Sequence, residues 1–361
     1  MTAITKAKHL IPAGLIHRAA ALALTSVPYI TPTKLLNLVR CEAEKLRRIA
    51  RLRSFPYVAI IDVTNTCNLR CPYCPTGARR DSGRKKGMIE PETIKQLIDG
   101  VGKYIISANL FNWGEPLLHP QIAAIVRMLH EARIFTVIST NLNIAGSNLL
   151  NRLCGAGLDY LVVSVSGASQ EVYQQYHRQG RLDLAIKNTR LIVENRRGKN
   201  GRRPVIEWKY LVFRHNLHEV EAARNMAKDI GVDIFRAVRA GGADESEIKD
   251  GQASERKLRV RFCHQLWHAI VLNVDAGIAP CCFMFYKKDD FNNFSQDIFA
   301  IRNSERGLTA RNLFNPSNIN SLPPDLQHPC LKCGLVHEQP HLHDYLKSNP
   351  NARREHRTGG A

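Results

Sequence analysis

TNTCNLRCPYCPTG, residues 64–77, follows directly on the β-branched run YVAIID at 57–62. It places Cys67, Cys71 and Cys74 in a C-x3-C-x2-C loop at the carboxyl end of an expected strand. Three thiolates in such a loop can hold three irons of a cubane and leave the fourth iron open to a small molecule. A zinc site, the alternative, normally takes a fourth protein ligand. Upstream of residue 170 the obvious candidates are His119 and Cys154, and His119, just before Pro120, reads better as a helix-initiating residue.

Working outward, five further apolar runs alternate with helix-like segments: ISANLFNW (106–113), IFTVIST (134–140), YLVVSVS (160–166), VIEWKYLVF (205–213) and DIFRAVR (233–239). Apolar periodicity and caps predict helices over 90–101, 120–133, 147–156, 182–195 and 217–230. Strand–helix alternation means a parallel α/β sheet, curled by right-handed crossovers into a full or partial barrel with its chemistry at the strand carboxyl ends. The alternation stops near residue 240, and the polar stretch 241–257 reads as a linker. The expected units are a basic helical extension (1–55), a core barrel (56–240), a small cysteine-bearing domain (241–345, its first element near Arg259) and a basic, structureless tail (346–361).

The cysteine loop, with Tyr73 ahead of its third thiol, and the strand ends that follow resemble the radical S-adenosylmethionine (SAM) superfamily. The resemblance spans roughly residues 55–335 and is densest at 64–77. It implies a partial (β/α)6 TIM-like barrel, a catalytic 4Fe-4S cluster on Cys67, Cys71 and Cys74, and SAM bound at the open iron. The implied reaction is reductive cleavage of SAM to a 5'-deoxyadenosyl radical, followed by hydrogen abstraction from carbon. In NWGEPLLHP the resemblance assigns Gly114, Glu115 and Pro116 to the SAM amino group. It assigns Tyr73, Thr140, Asn141, Ser164 and Arg178 to the rest of the cofactor, an arginine fork suiting a carboxylate. Two positions depart from the pattern: Leu142 stands where relatives often have glycine, and Ser166 where many have aspartate.

Beyond the linker, Cys263 is followed by thirteen residues, Gly277, four more residues and Cys282. This C-x13-G-x4-C spacing is similar to the opening of SPASM/twitch accessory domains. With Cys330 and Cys333 it gives four thiolates, a full set for one auxiliary 4Fe-4S cluster. The glycine spacing favours Cys282 over its neighbour Cys281, and a four-cysteine structural zinc is the alternative. An auxiliary cluster beside the substrate would accept electrons, which points to dehydrogenation by an oxidoreductase fed by an external flavodoxin- or ferredoxin-like donor.

The chain of 361 residues carries a formal charge of +19, which favours anionic partners. Residues 1–55 contribute ten Lys or Arg against Glu42 and Glu44. Residues 34–53 read as an amphipathic helix, able either to pack on the domain or to make peripheral contact with acidic lipid. The longest apolar region, 10–30, is interrupted by His17, Arg18, Pro12 and Pro28, which argues against a transmembrane segment. Short-spaced thiols without a secretory leader indicate a reducing cytoplasm. The expected substrate is a small polar molecule: a sugar, an aminocyclitol or a lipid-linked compound. Maturation of a ribosomal peptide is the alternative, and a zinc protein that binds nucleic acid is the rival from another class.

Overall fold

The protein is described from a computed structural model over residues 18, 21–22, 25–198, 203–240, 263–294, 297–323, 326–337 and 339–348. The linker expected at 241–257 and the tail beyond 348 lie outside the described residues. The expected tail begins too early, because a helix at Pro340–Ser348 runs through its first three residues.

Helix α1 (Pro32–Leu46) precedes β1 (Val58–Ile61). The chain then runs α2 (Pro91–Val101), β2 (Ser107–Asn109), α3 (Ile122–Glu131), β3 (Phe135–Thr140), α4 (Ser147–Gly155) and β4 (Tyr160–Ser164). Helices α5 (Gln170–Tyr176) and α6 (Leu182–Gly198) lead to β5 (Val205–Val212), and α7 (Val220–Ile230) leads to β6 (Ile234–Arg239). All six strands expected from the apolar runs form, each shorter than its run at one end or both.

These six strands are parallel in the order β6-β5-β4-β3-β2-β1, an open, partial barrel. The cysteine-bearing region does not stand apart from this sheet. Its first strand, β7 (Ala269–Leu272), pairs in parallel with β1, and β8 (Gly277–Ala279) and β9 (Asn292–Asn293) continue the sheet antiparallel. An edge of β1 that would otherwise expose unpaired amides is thereby covered.

Strand alternation sorts the side chains onto two faces. Ala59 and Ile61 of β1 and Ile206, Trp208 and Tyr210 of β5 face the helices, where α3 brings Ile122, Ile125, Val126 and Leu129 at helical spacing. Each such buried side chain contributes about 1.5–3 kcal/mol. The opposite face forms the lumen. Its floor is an apolar plug of Tyr29, Phe135, Val137, Tyr160, Val162 and Ile234. Tyr29 comes from the segment before α1, and its hydroxyl donates to Asp159 at 2.5 Å. Asp159 is fully buried, and also accepts from Thr136 N at 2.9 Å and from Arg203 at 2.5 Å.

Helix α1 binds the core to the cysteine-bearing region. Cys41 reaches the Trp267 carbonyl at 3.0 Å, and the Trp267 indole donates to Ile49 O at 3.0 Å. The extension expected at 1–55 is therefore not a detached unit over its described part.

Removing the acid that ties the plug to the barrel leaves Tyr29, Arg203 and Thr136 without their acceptor. Asp159→Ala is expected to lower the unfolding free energy by about 3 kcal/mol, measured by chemical denaturation. A loss within experimental error would show that the plug is not part of the cooperative fold.

Candidate active site

The cysteine loop begins where β1 ends. Gly77 closes it, because a Cβ there would lie 2.5 Å from Cys71 O. Cys67, Cys71 and Cys74 are all partly buried. Burial, the nearby Glu115 charge and the neighbouring thiol push the Cys67 pKa up to about 11, and burial with two neighbouring thiols pushes Cys71 higher still. The raised values favour the thiol form, and ligation to iron would displace those protons. Among the described residues, no three His, Cys, Asp or Glu side chains close on a single metal ion.

The second strand end locks onto the loop through backbone. A Cβ on Gly114 would lie 1.8 Å from Thr64 O, so only glycine allows this approach, and Glu115 N donates to Thr66 O at 2.8 Å. The Glu115 carboxylate, 3% exposed, is largely occupied within the protein. Oε1 accepts from Leu117 N at 3.1 Å and from Thr140 Oγ1 at 2.6 Å, and Oε2 accepts from Asn141 N at 2.8 Å. Of a carboxylate's four or so acceptor positions, about one remains for an ammonium group. Desolvation pushes its pKa up to about 7 against these three bonds.

Asn141 carries the linkage to the loop, donating to Asn68 Oδ1 at 3.0 Å with Cys67 Sγ 3.9 Å away. Leu142, in the position where relatives often have glycine, takes the left-handed conformation with φ 52°. That conformation costs a non-glycine residue about 1–2 kcal/mol. The cost is offset by complete burial of its side chain and by its N–H donating to Thr140 Oγ1 at 3.0 Å.

Ser164 Oγ lies 3.4 Å from Ser139 Oγ on the lumen face. Ser166 is fully buried and accepts from Leu211 N at 3.0 Å, so the hydroxyl that replaces an acid here braces β5. Asn216 is saturated in the same way by Phe213 N, Ser166 O and Leu211 O. His119, bonded to Ile89 O and Gln121 N, is the helix-initiating residue its position suggests. Tyr73 stacks beside Phe213 and Tyr176, with centroids 5.8 and 6.3 Å away. Arg178 is exposed, and its contribution to the loop is its carbonyl, which accepts from Arg70 N at 3.0 Å.

Two residues at the mouth carry no motif. His177, buried, places Nδ1 3.9 Å from Cys71 Sγ, with Nε2 unpartnered and the pKa lowered by burial to about 3. Asp62, the residue after β1, accepts from Trp113 N at 3.1 Å through Oδ1 and leaves Oδ2 buried without a partner. Chain neighbours gave no signal for either, because their surroundings are assembled from distant strands.

In the second region the geometry departs from the spacing. Cys263, Cys281, Cys330 and Cys333 all lie within electrostatic reach of one another, whereas Cys282 reaches only Cys263 and Cys281. Cys282 turns instead toward Val58, Ile60 and Met284, bonded to Gln265 at 3.1 Å through sulfur. The two cysteines sit in a turn closed by Met284 N donating to Cys281 O at 3.3 Å, and the glycine spacing counts residues without resolving sides. The structure therefore favours Cys281 over the expected Cys282.

Glu115→Gln sets an amide against the Asn141 N–H or the Thr140 hydroxyl. It is expected to cost about 1–3 kcal/mol of stability without any ligand, read by denaturation. A role confined to holding SAM would instead leave stability unchanged while SAM affinity fell.

Comparison with known proteins agrees with this reading of the core. Residues 61–205 match the Radical SAM superfamily. The AdoMet-dependent heme synthase of Methanosarcina barkeri is 27% identical over 64% of this chain and 65% of its own length. The GTP 3',8-cyclase of Chlorobaculum tepidum is 32% identical over 37% of this chain and 40% of its own. The chain thus spans less than two thirds of either relative. Among solved structures, anSMEcpe with bound AdoMet and Cp18Cys peptide aligns at TM-score 0.55 with 12% identity, covering 82% of this chain and 96% of that one. Streptococcus suis SuiB bound to the precursor peptide SuiA aligns at 0.53 with 16% identity, covering 85% and 76%. Both share the fold, including the region beyond the barrel. The three-thiol loop and the strand ends that receive it thus lie within the stretch that matches the Radical SAM superfamily.

Proposed function

We propose that this protein abstracts a hydrogen atom from a small, anionic, polar substrate, such as a sugar or aminocyclitol bearing phosphate or carboxylate, held in the lumen below the cysteine loop. The family's cofactors are a 4Fe-4S cluster and SAM, and the loop fits them: three free thiols at C-x3-C-x2-C spacing, closed by Gly77 and approached by Gly114. When bound and reduced by an external flavodoxin- or ferredoxin-like donor, they supply a 5'-deoxyadenosyl radical. The chain's own residues bind the substrate, orient it and exclude water.

The observation that carries the substrate class is Lys209. It lies on the lumen face of β5, two residues beyond Glu207 and beside Ser164 and Arg236 in strand register. Glu207 is already committed to Arg18, Arg236 and Tyr160. Among the described residues Lys209 has no hydrogen-bond or ion-pair partner. Its pKa is lowered by burial first and then by Arg236, with Glu207 opposing. A half-buried ammonium beside a second cation is stabilised when an anion enters. The floor beneath it is sealed by the Tyr29 plug, so a bound molecule is reached only from the mouth, where Trp113 packs edge-on against Phe285 at 5.0 Å.

For the second region we propose one auxiliary 4Fe-4S cluster on Cys263, Cys281, Cys330 and Cys333, which would take up the electron left on an oxidised product. Anaerobic reconstitution should then give about eight irons per chain. Cys281→Ala should fall to about four and Cys282→Ala should keep about eight. The reverse pattern would restore Cys282 as ligand, and a wild type with four irons and one zinc would remove the auxiliary cluster.

Lys209→Met should raise KM for the anionic substrate at least about tenfold with little change in kcat. The wild-type KM should rise with pH as Lys209 loses its proton. Because its folded pKa is depressed, that rise begins below the ordinary lysine range. A flat KM profile, or an unchanged KM in the variant, would reject the anchoring role. SAM regenerated after each turnover, rather than consumed in proportion to product, would reject the oxidation.

A further inference from the structure

The amphipathic helix of the extension is inverted. On α1 the buried side chains are Lys34, Asn37, Cys41, Glu44 and Lys45. Each polar one has a specific partner. Lys34 Nζ donates to Arg133 O, and Asn37 exchanges bonds with Phe55 N and O at 2.9 and 3.0 Å. Glu44 accepts from Arg53 N at 2.8 Å and from the Ser54 hydroxyl at 2.6 Å, while Lys45 pairs with Glu42. The apolar side chains point outward: Leu36 and Leu46 are 73% exposed, Val39 60% and Leu35 50%.

At the helical step of about 100° per residue, Leu35, Leu46, Val39 and Leu36 share an arc of about 100°. Arg47 and Arg40 continue along one edge of that arc. Beyond the helix, exposed Ile49, Arg51 and Arg53 extend the same mixture. The exposed residues between 32 and 53 include no acid, because Glu42 and Glu44 are both engaged inward.

We infer that this face docks on an anionic lipid bilayer, the leucines entering the acyl boundary and the arginines meeting the headgroups. Charge complementarity selects the bilayer over the other occupants. A second copy in a twofold contact would set arginine against arginine. Residues 1–17 contain Lys6, Lys8 and two histidines but no acid, so they too would bring positive charge. The orientation follows from the anchors: Lys34 and Asn37 hold residues leading into β3 and β1, at the amino ends of the strands. The lipid would therefore contact the end of the sheet opposite the cysteine loop and leave the mouth open to soluble substrates and to the electron donor. This inference stands independently of the proposed reaction.

The test is sedimentation of the full-length, iron-reconstituted protein with vesicles of phosphatidylcholine alone or mixed with phosphatidylglycerol at about 30%. The expected result is binding to the anionic vesicles at least about tenfold tighter than to the neutral ones and weakened by salt. Leu36→Glu/Val39→Glu and Arg40→Gln/Arg47→Gln should each lose at least about tenfold in affinity while keeping iron content and far-ultraviolet dichroism. Equal binding to both vesicle types, or undiminished binding of both variants, would overturn the inference. So would a wild-type dimer that the leucine variant converts to monomer, or vesicle binding that appears only after residues 1–17 are removed.

Discussion

One buried carboxylate holds the mouth of this barrel together. Glu115 ties the end of β2 to the end of β3 through Thr140 and Asn141, and Asn141 in turn grips Asn68 in the cysteine loop. Because Gly114 brings the same turn against Thr64 O, three successive strand ends meet at a single point. A charged or half-charged group at such depth persists only if its acceptors are used. Its neighbours are accordingly fixed: a threonine hydroxyl, a backbone amide and the strained Leu142 that aims them. The three thiols owe their mutual placement to this network, since the loop itself contains no regular secondary structure.

The lumen is graded from an apolar floor to a polar mouth, and the gradient explains why charge can be stored halfway up. Below, Tyr29 and Asp159 close the amino ends of the strands and exclude water. Above, Glu207 is surrounded by Arg18, Arg236 and Tyr160, a buried acid with more than one cation in reach. Positive charge therefore exceeds negative at the level of Lys209. In a low-dielectric cavity that excess is costly when the site is empty and favourable when an anion fills it. On the proposed function, that imbalance would set the selectivity for an anion.

Much of this was legible in the sequence, and the part that was not has a common cause. The six parallel strands and the helices between them follow from local periodicity, and the thiol loop from spacing within eight residues. Partners far apart in the chain left no local trace. The Tyr29 hydroxyl meets Asp159 across 130 positions, Arg18 meets Glu207 across 189, and β7 completes the edge of β1 from beyond the linker. Spacing also counts residues without resolving sides. It therefore identified a cysteine at 281 or 282 but not which of the two turns toward Cys330 and Cys333. Glu115 could be read as a site residue from its position alone, and only its bonding partners show how far the fold has already used it.

The inversion of α1 shows the limit of amphipathic reading most directly. Periodicity defines a stripe and assumes that the apolar side faces in, because burying leucine yields about 1.5–3 kcal/mol per side chain. Here four aliphatic side chains forgo that gain while five buried positions are given mostly to polar groups. Specific bonds can outbid burial when the surface beneath a helix is itself polar. The seat of α1 presents the carbonyls of Arg133 and Phe55 and the amides of Phe55, Arg53 and Ser54, which have no strand to pair with. Leaving such groups unbonded under an apolar helix would cost about 1–3 kcal/mol each. Satisfying them from Lys34, Asn37 and Glu44 fixes the helix in one rotation, and that rotation determines that its leucines face away from the protein.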